Sequence, residues 1–263
     1  MTRAFWDSQL QFSNIIGDFG TIVERTQRES ADWSQGRSLE TLRYGPNPRQ
    51  WVETTQGQGG GNLLPVVIHG GYWRALRAED HRFLMGALLP FGDHVANVEY
   101  RLMPQVRLAD VVADTVLALK ALATRFAEKR LVLVGHSAGA HLAVSALDEE
   151  TLAPRVAGAV ALSGVYDLRP VRLSFLQDEL SLSEEEVRRH SLAPRKGRRP
   201  VVYVNGSDET HEFLRGSALM ASAGATALRV LPKANHMTLL WSARDSMTDL
   251  VETLLALEPG HET

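Results

Sequence analysis

The chain has 263 residues, 44% of them hydrophobic and 22% charged, which suits one large α/β domain or two small ones with a sizeable core. Its formal net charge of −3 gives no reason to expect a polyanionic partner such as nucleic acid. It has no cysteine, so disulfides, a thiol nucleophile and thiolate-ligated metals are excluded.

The first residues, Met1 to Asp7, lead into Ser8 and Gln9 without an apolar stretch of signal-peptide length. No apolar run reaches the roughly 18 residues needed to span a bilayer. The expectation is a soluble cytoplasmic protein that does not engage a membrane. Phe12, Ile15, Ile16, Phe19, Ile22 and Val23 recur at helical spacing, so residues 1–60 should hold an amphipathic helix, weakened by Gly17 and Gly20. Strands are expected at Leu39–Tyr44 and Gln50–Thr55. The glycine-rich run Gly57–Asn62 then reads as a hairpin-like loop. It lacks the G-x-G-x-x-G spacing and opens no helix, so it is no nucleotide cradle.

Leu63–Ile68 is a continuous apolar run of the kind a central parallel strand needs, and it enters His69-Gly70-Gly71-Tyr72-Trp73. A Gly-Gly pair lets backbone amides approach a ligand, so Gly70, Gly71 and Tyr72 are candidate oxyanion donors; a plain chain reversal is the alternative. A helix over His81–Leu89 stops at Pro90, a strand covers His94–Glu99, and Val112, Val116, Leu119, Ala123 and Phe126 mark one helix face.

The most informative stretch follows. Leu131-Val132-Leu133-Val134 runs into Gly135-His136-Ser137-Ala138-Gly139, and the helix-forming run Ala140–Leu147 comes directly after it. Strand, tight turn and helix with a serine at the turn is the arrangement of an exposed nucleophile. The amide of Ala138, at the helix start, would face an oxyanion above Ser137. Val156–Leu162, Val201–Val204 and Leu228–Leu231 read as further strands, and Ala243–Leu257 as a closing helix. Strands alternating with helices predict a mostly parallel sheet with helices on both faces, in a single domain spanning 1–263. Between Asp167 and Pro200 lies a strandless insertion, 168–199. Its Ser183/Glu186 pair is a capping box, and its nearly balanced charges suit a solvated lid.

Catalytic groups of such sheets collect at the carboxyl ends of the strands. Ser137, Asp208 and His236 each follow a strand, in the order Ser, Asp, His associated with a nucleophile elbow. His236 would take the serine proton and Asp208 would orient the imidazole. Asp167 is the alternative acid, and Glu209 stands beside Asp208. His69 and His136 are expected to orient loops, and His141 to pack. No H-E-x-x-H or related spacing exists, so no metal site is expected.

His69-Gly70-Gly71-Tyr72-Trp73, Gly135 to Leu142, and the late Asp208 and His236 together resemble the α/β-hydrolase superfamily. They are most similar to its kynurenine formamidase (arylformamidase) branch, which shares His-Gly-Gly-x-Trp with hormone-sensitive-lipase-like esterases. The similarity runs from Tyr44-Gly45-Pro46 to the C-terminus. It includes Glu212-Phe213, Arg215 and Ser217, with Gly216 where glutamine is usual. The resemblance implies an α/β-hydrolase fold with a reduced cap. It also implies cofactor-free hydrolysis of N-formylkynurenine to kynurenine and formate, with general carboxylesterase activity as the alternative. A non-catalytic binding module on the same scaffold is the remaining possibility. Tyr72 and Trp73 could stack on an aromatic small-molecule substrate. Met237, Tyr166 and Trp241 are further candidates for the pocket. A homodimer is left open.

Overall fold

The computed structural model describes residues 1–196 and 199–257; Arg198 of the insertion lies outside them. Three helices come first: α1 (Arg3–Leu10), α2 (Phe12–Ile15) and α3 (Phe19–Ser34). The single helix expected over Phe12–Val23 is therefore split, with a break at Ile16–Asp18. Strands β1 (Glu40–Arg43), β2 (Trp51–Gln56), β3 (Leu63–Ile68), β4 (His94–Val98), β5 (Arg130–His136), β6 (Val156–Leu162), β7 (Val201–Gly206) and β8 (Thr226–Leu231) form one sheet in the order β1-β2-β4-β3-β5-β6-β7-β8. β1, β2 and β4 pair antiparallel, and every pairing from β4 through β3 to β8 is parallel.

The glycine-rich run after β2 is not a hairpin. β2 pairs with β4, and β3 lies beyond it, so the run crosses the sheet end instead of reversing beside it. Its backbone is tied to the turn before β4, with Gly57 N donating to Asp93 O (2.8 Å) and Gln58 N to Leu89 O (2.8 Å).

β5 and β6 are apolar and buried along almost their whole length, as central strands covered on both faces must be. The covering helices are α4 (Arg82–Leu88), α5 (Leu108–Arg125) and α6 (Ala138–Ala146). The insertion contributes α7 (Arg169–Arg172), α8 (Gln177–Leu180) and α9 (Glu184–His190). Then come α10 (His211–Met220), α11 (Leu239–Asp245) and α12 (Met247–Ala256). They pack as two groups: α5 and α6 against each other and β5, and α4, α11 and α12 together. The closing helix is thus two helices that meet at Ser246. In the insertion the capping box forms as expected. Glu186 N donates to Ser183 Oγ (3.1 Å) and Ser183 N donates to Glu186 Oε2 (2.9 Å). Among the described residues, no helix is long and apolar enough to cross a membrane.

Parallel pairing aligns the strand ends that precede the candidate site residues. Ile68 pairs with Gly135 and His136 with Leu162. Beyond them, Ser137 N donates to Leu162 O and Ser163 N to Val204 O, both at 2.8 Å.

Candidate active site

Ser137 sits at φ 55°, ψ −116°, between the end of β5 and the start of α6. A non-glycine residue in that region costs about 1–3 kcal/mol and persists only where its surroundings impose it. Here they do, through close approach. A Cβ on Gly135 would lie 2.2 Å from Gly139 O, and one on Gly139 would lie 2.1 Å from Ile68 O. Strand and helix therefore meet too closely for any side chain at either position, and the turn between them is forced tight.

The loop after β3 is strained as well. Gly71, Tyr72 and Trp73 have φ of 103°, 49° and 57° in succession. Tyr100 anchors the loop by donating its hydroxyl to His69 O (2.8 Å), and Met103 N donates to Trp73 O (2.8 Å). His69 stacks on Tyr100 with ring centroids 4.0 Å apart, and its Nδ1 donates to Gly70 O (2.8 Å). Gly70 lies against the elbow, since a Cβ there would be 3.1 Å from Ser137 Cβ. Among the described residues, the amides of Gly70, Gly71, Tyr72 and Ala138 donate to no loop or turn carbonyl and to no side chain. Amides left free beside a serine are the donors an oxyanion needs.

The turn places Tyr72 and Trp73 on different sides. Tyr72 lines the cavity above Ser137. Trp73 is wholly buried, lies edge-on to His141 of α6 at 5.1 Å, and is not among the cavity's lining residues. Its expected contact with substrate is corrected accordingly: it packs the loop onto the elbow helix. Of the other aromatic and thioether candidates, Met237 lines the cavity, whereas Tyr166 and Trp241 do not.

His236 is buried on the loop after β8, and its Nδ1 donates to Glu209 Oε2 at 3.2 Å. Asp208, the acid expected from chain order, does not make this contact. Its side chain is exposed, and its Oδ1 accepts from Ser207 Oγ (2.8 Å). The turn after β7 points Asp208 at solvent, while the next residue, one methylene longer, turns inward. Glu209 Oε1 accepts from Gly206 N (2.8 Å) and Ser163 Oγ. Both carboxylate oxygens are thus held, one by two strand ends and one by the imidazole. Asp167 is also excluded from the pair. It is bonded by Arg169 (Nη2 to Oδ2, 2.6 Å), and although burial opposes it, Arg169 keeps the carboxyl below its ordinary range.

His136 was expected to orient a loop, and its Nε2 donates to the backbone carbonyl of His236 (3.0 Å). Burial, reinforced by the neighbouring His236 and His81, pushes its imidazole well below the usual pKa. Burial likewise brings His81 down to about 3 and His141 to about 4. These imidazoles stay neutral in the folded protein, while in the unfolded chain they take up protons below about pH 6.5. Stability is therefore fully present above about pH 6.5 and falls as the pH drops toward the folded values. Each such group contributes a slope of about 1.4 kcal/mol per pH unit. Urea denaturation at pH 7.5, 6 and 5 is expected to show this fall, and constant stability over that range would contradict it.

Ser137 and His236 open onto one cavity of about 370 Å³. Much of its wall was unforeseen. Leu10, Phe12, Phe19 and Val23 of the N-terminal helices line it, with Phe175 from the insertion. Phe12 stacks on His236 (centroids 4.1 Å, 12°) and on Tyr72 (5.9 Å, 10°). The segment is tied down by Tyr72, whose hydroxyl donates to Leu10 O (2.9 Å), by Thr210 Oγ1 to Gln9 O (2.9 Å), and by Phe175 N to Asp7 Oδ1 (2.6 Å). Only the apolar spacing of Phe12 and Phe19 hinted at it. A larger groove of about 610 Å³ lies on the insertion and includes neither Ser137 nor His236. Among the described residues, no group of three or more His, Asp or Glu is arranged to hold a metal.

Comparison with known proteins identifies the family of the fold. The family described as alpha/beta hydrolase fold matches residues 65–240. The kynurenine formamidase of Salmo salar is 27% identical over 96% of this chain and 92% of its own length. That of Danio rerio is 33% identical over 71% of this chain and 65% of its own. A crystal structure from a Silicibacter species, provisionally assigned as a thioesterase, superposes with a TM-score of 0.85 at 26% identity. That superposition covers 94% of this chain and 97% of the other.

Proposed function

The chain belongs to the α/β-hydrolase fold family and is a hydrolase, and from that premise we propose that it cleaves small aryl formamides or esters through an acyl-enzyme on Ser137. The observation that carries the reading is that His236, held by Glu209, shares one aromatic-walled cavity with the strained Ser137.

With Nδ1–H committed to Glu209, His236 keeps Nε2 bare to accept the Ser137 proton. The alkoxide attacks the carbonyl carbon. The negative charge that develops on the carbonyl oxygen is met by the amides of Gly71, Tyr72 and Ala138. The imidazolium, stabilised by the Glu209 carboxylate, then protonates the leaving amine or alcohol, and the acyl group stays on Ser137. Water gives one proton to His236 as its oxygen bonds the acyl carbon; the bond to Ser137 then breaks, His236 returns the proton to Oγ, and the acid leaves, as formate when the substrate is a formamide.

A kynurenine formamidase relative along nearly the whole chain supports an aryl formamide as substrate, as do the rings of Phe12 and Tyr72 beside the reacting groups. Short esters or thioesters are the second reading, favoured by the description given to the Silicibacter structure. Measuring kcat/KM on N-formylkynurenine and on p-nitrophenyl acetate separates the two. The formamide is expected to be turned over; its failure alongside good ester turnover would replace the first reading by the second.

A further inference from the structure

Among the described residues lining the catalytic cavity, Arg74 is the one permanent charge; the others are apolar, hydroxyl-bearing, glycine or the two imidazoles. It stands three residues beyond Gly71 in the same strained loop, with its amide bonded to Gly71 O (3.0 Å). Its side chain is about 29% exposed. Nη1 donates to Glu179 of α8 (2.5 Å), and among the described residues no acceptor engages Nε or Nη2. A guanidinium that spends one nitrogen on a lid carboxylate and presents the rest at the rim of an apolar cavity is suited to a second carboxylate.

We infer that Arg74 selects substrates carrying a carboxylate on the arm remote from the reacting acyl group. The anion pairs with Nε and Nη2 while the aryl ring lies among the cavity's aromatic side chains and the carbonyl reaches Ser137. This deepens the proposed acyl-transfer function and rests on it, but it does not depend on the acyl group being formyl. Glu179 acts against it, since its negative charge shares the guanidinium with the incoming carboxylate.

The test uses paired aryl acetates whose ring bears either a carboxyethyl arm or the same arm as its amide, so that formamide turnover is not required. For the wild type the kcat/KM ratio of anionic to neutral ester should be about tenfold, the factor of one partly exposed charge pair. Arg74→Gln should bring the ratio to within about twofold of unity, and Arg74→Lys should keep part of the preference. Glu179→Gln should raise the ratio above the wild-type value. Added salt should lower it in the wild type and leave it flat in Arg74→Gln. A wild-type ratio at or below one would overturn the inference, as would a ratio unchanged in Arg74→Gln. If Arg74→Gln does not fold, the Glu179→Gln arm decides, and no rise in its ratio counts against the proposal. A preference for the anionic acetate with no turnover of N-formylkynurenine would leave Arg74's role standing and remove the formamidase reading alone.

Discussion

Replacing Ser137 by alanine is expected to lower kcat by about 10⁶-fold and to abolish covalent labelling by a fluorophosphonate probe, in a protein that still folds. The size follows from the chemistry: without Oγ no acyl-enzyme forms, and only the oxyanion donors and the cavity remain to assist a direct attack by water. Folding should survive because the side chain contributes little burial, and alanine removes only a hydroxyl from the strained φ of 55°. Activity measured beside a thermal melt checks both halves. Labelling that persists in Ser137→Ala would move the nucleophile elsewhere. A well-folded wild type that is neither labelled nor active would favour the binding-module alternative.

Replacing Glu209 by glutamine should lower kcat by about 10³- to 10⁴-fold, while Asp208→Asn changes it by less than about threefold. Glutamine keeps the volume and can still accept the Nδ1–H of His236. It carries no charge, however, to stabilise the imidazolium formed when Ser137 gives up its proton. It also loses part of the acceptor capacity now shared by Gly206 N and Ser163 Oγ. Asp208, by contrast, is exposed and bonded only to its neighbour's hydroxyl on the side-chain side. Steady-state kinetics on both variants, with melting curves, separates the two acids. A large loss in Asp208→Asn with little in Glu209→Gln would reverse the assignment.

Much of this protein was legible in the chain. The apolar runs Leu63–Ile68, Leu131–Val134 and Val156–Leu162 announce buried parallel strands, because only a strand covered on both faces tolerates four or more apolar residues in succession. Ser137 was legible because glycines on either side of a serine, between a strand and a helix, specify a tight turn through local sterics alone. His236 was legible for a similar reason, as the histidine that follows the last strand. The capping box at Ser183 and Glu186 is local too, and it forms where the spacing put it.

Other features needed the assembled molecule. Asp208 and Glu209 are adjacent acids after one strand, and only the course of the turn against the β8 loop decides which faces His236. Tyr72 and Trp73 are adjacent aromatics, and two positive φ values send one to the cavity and the other into the core. The register of the glycine-rich run depended on which strand β2 would join, a pairing between segments some forty residues apart.

By itself, then, the sequence determined the central strands, the elbow turn and the histidine after the last strand, since each rests on interactions within a few residues. The tertiary structure alone decided which carboxylate meets His236, the placement of the aromatic rings and the covering of the cavity by Phe12. Those depend on where side chains far apart in the chain meet, and no spacing along one segment encodes that meeting.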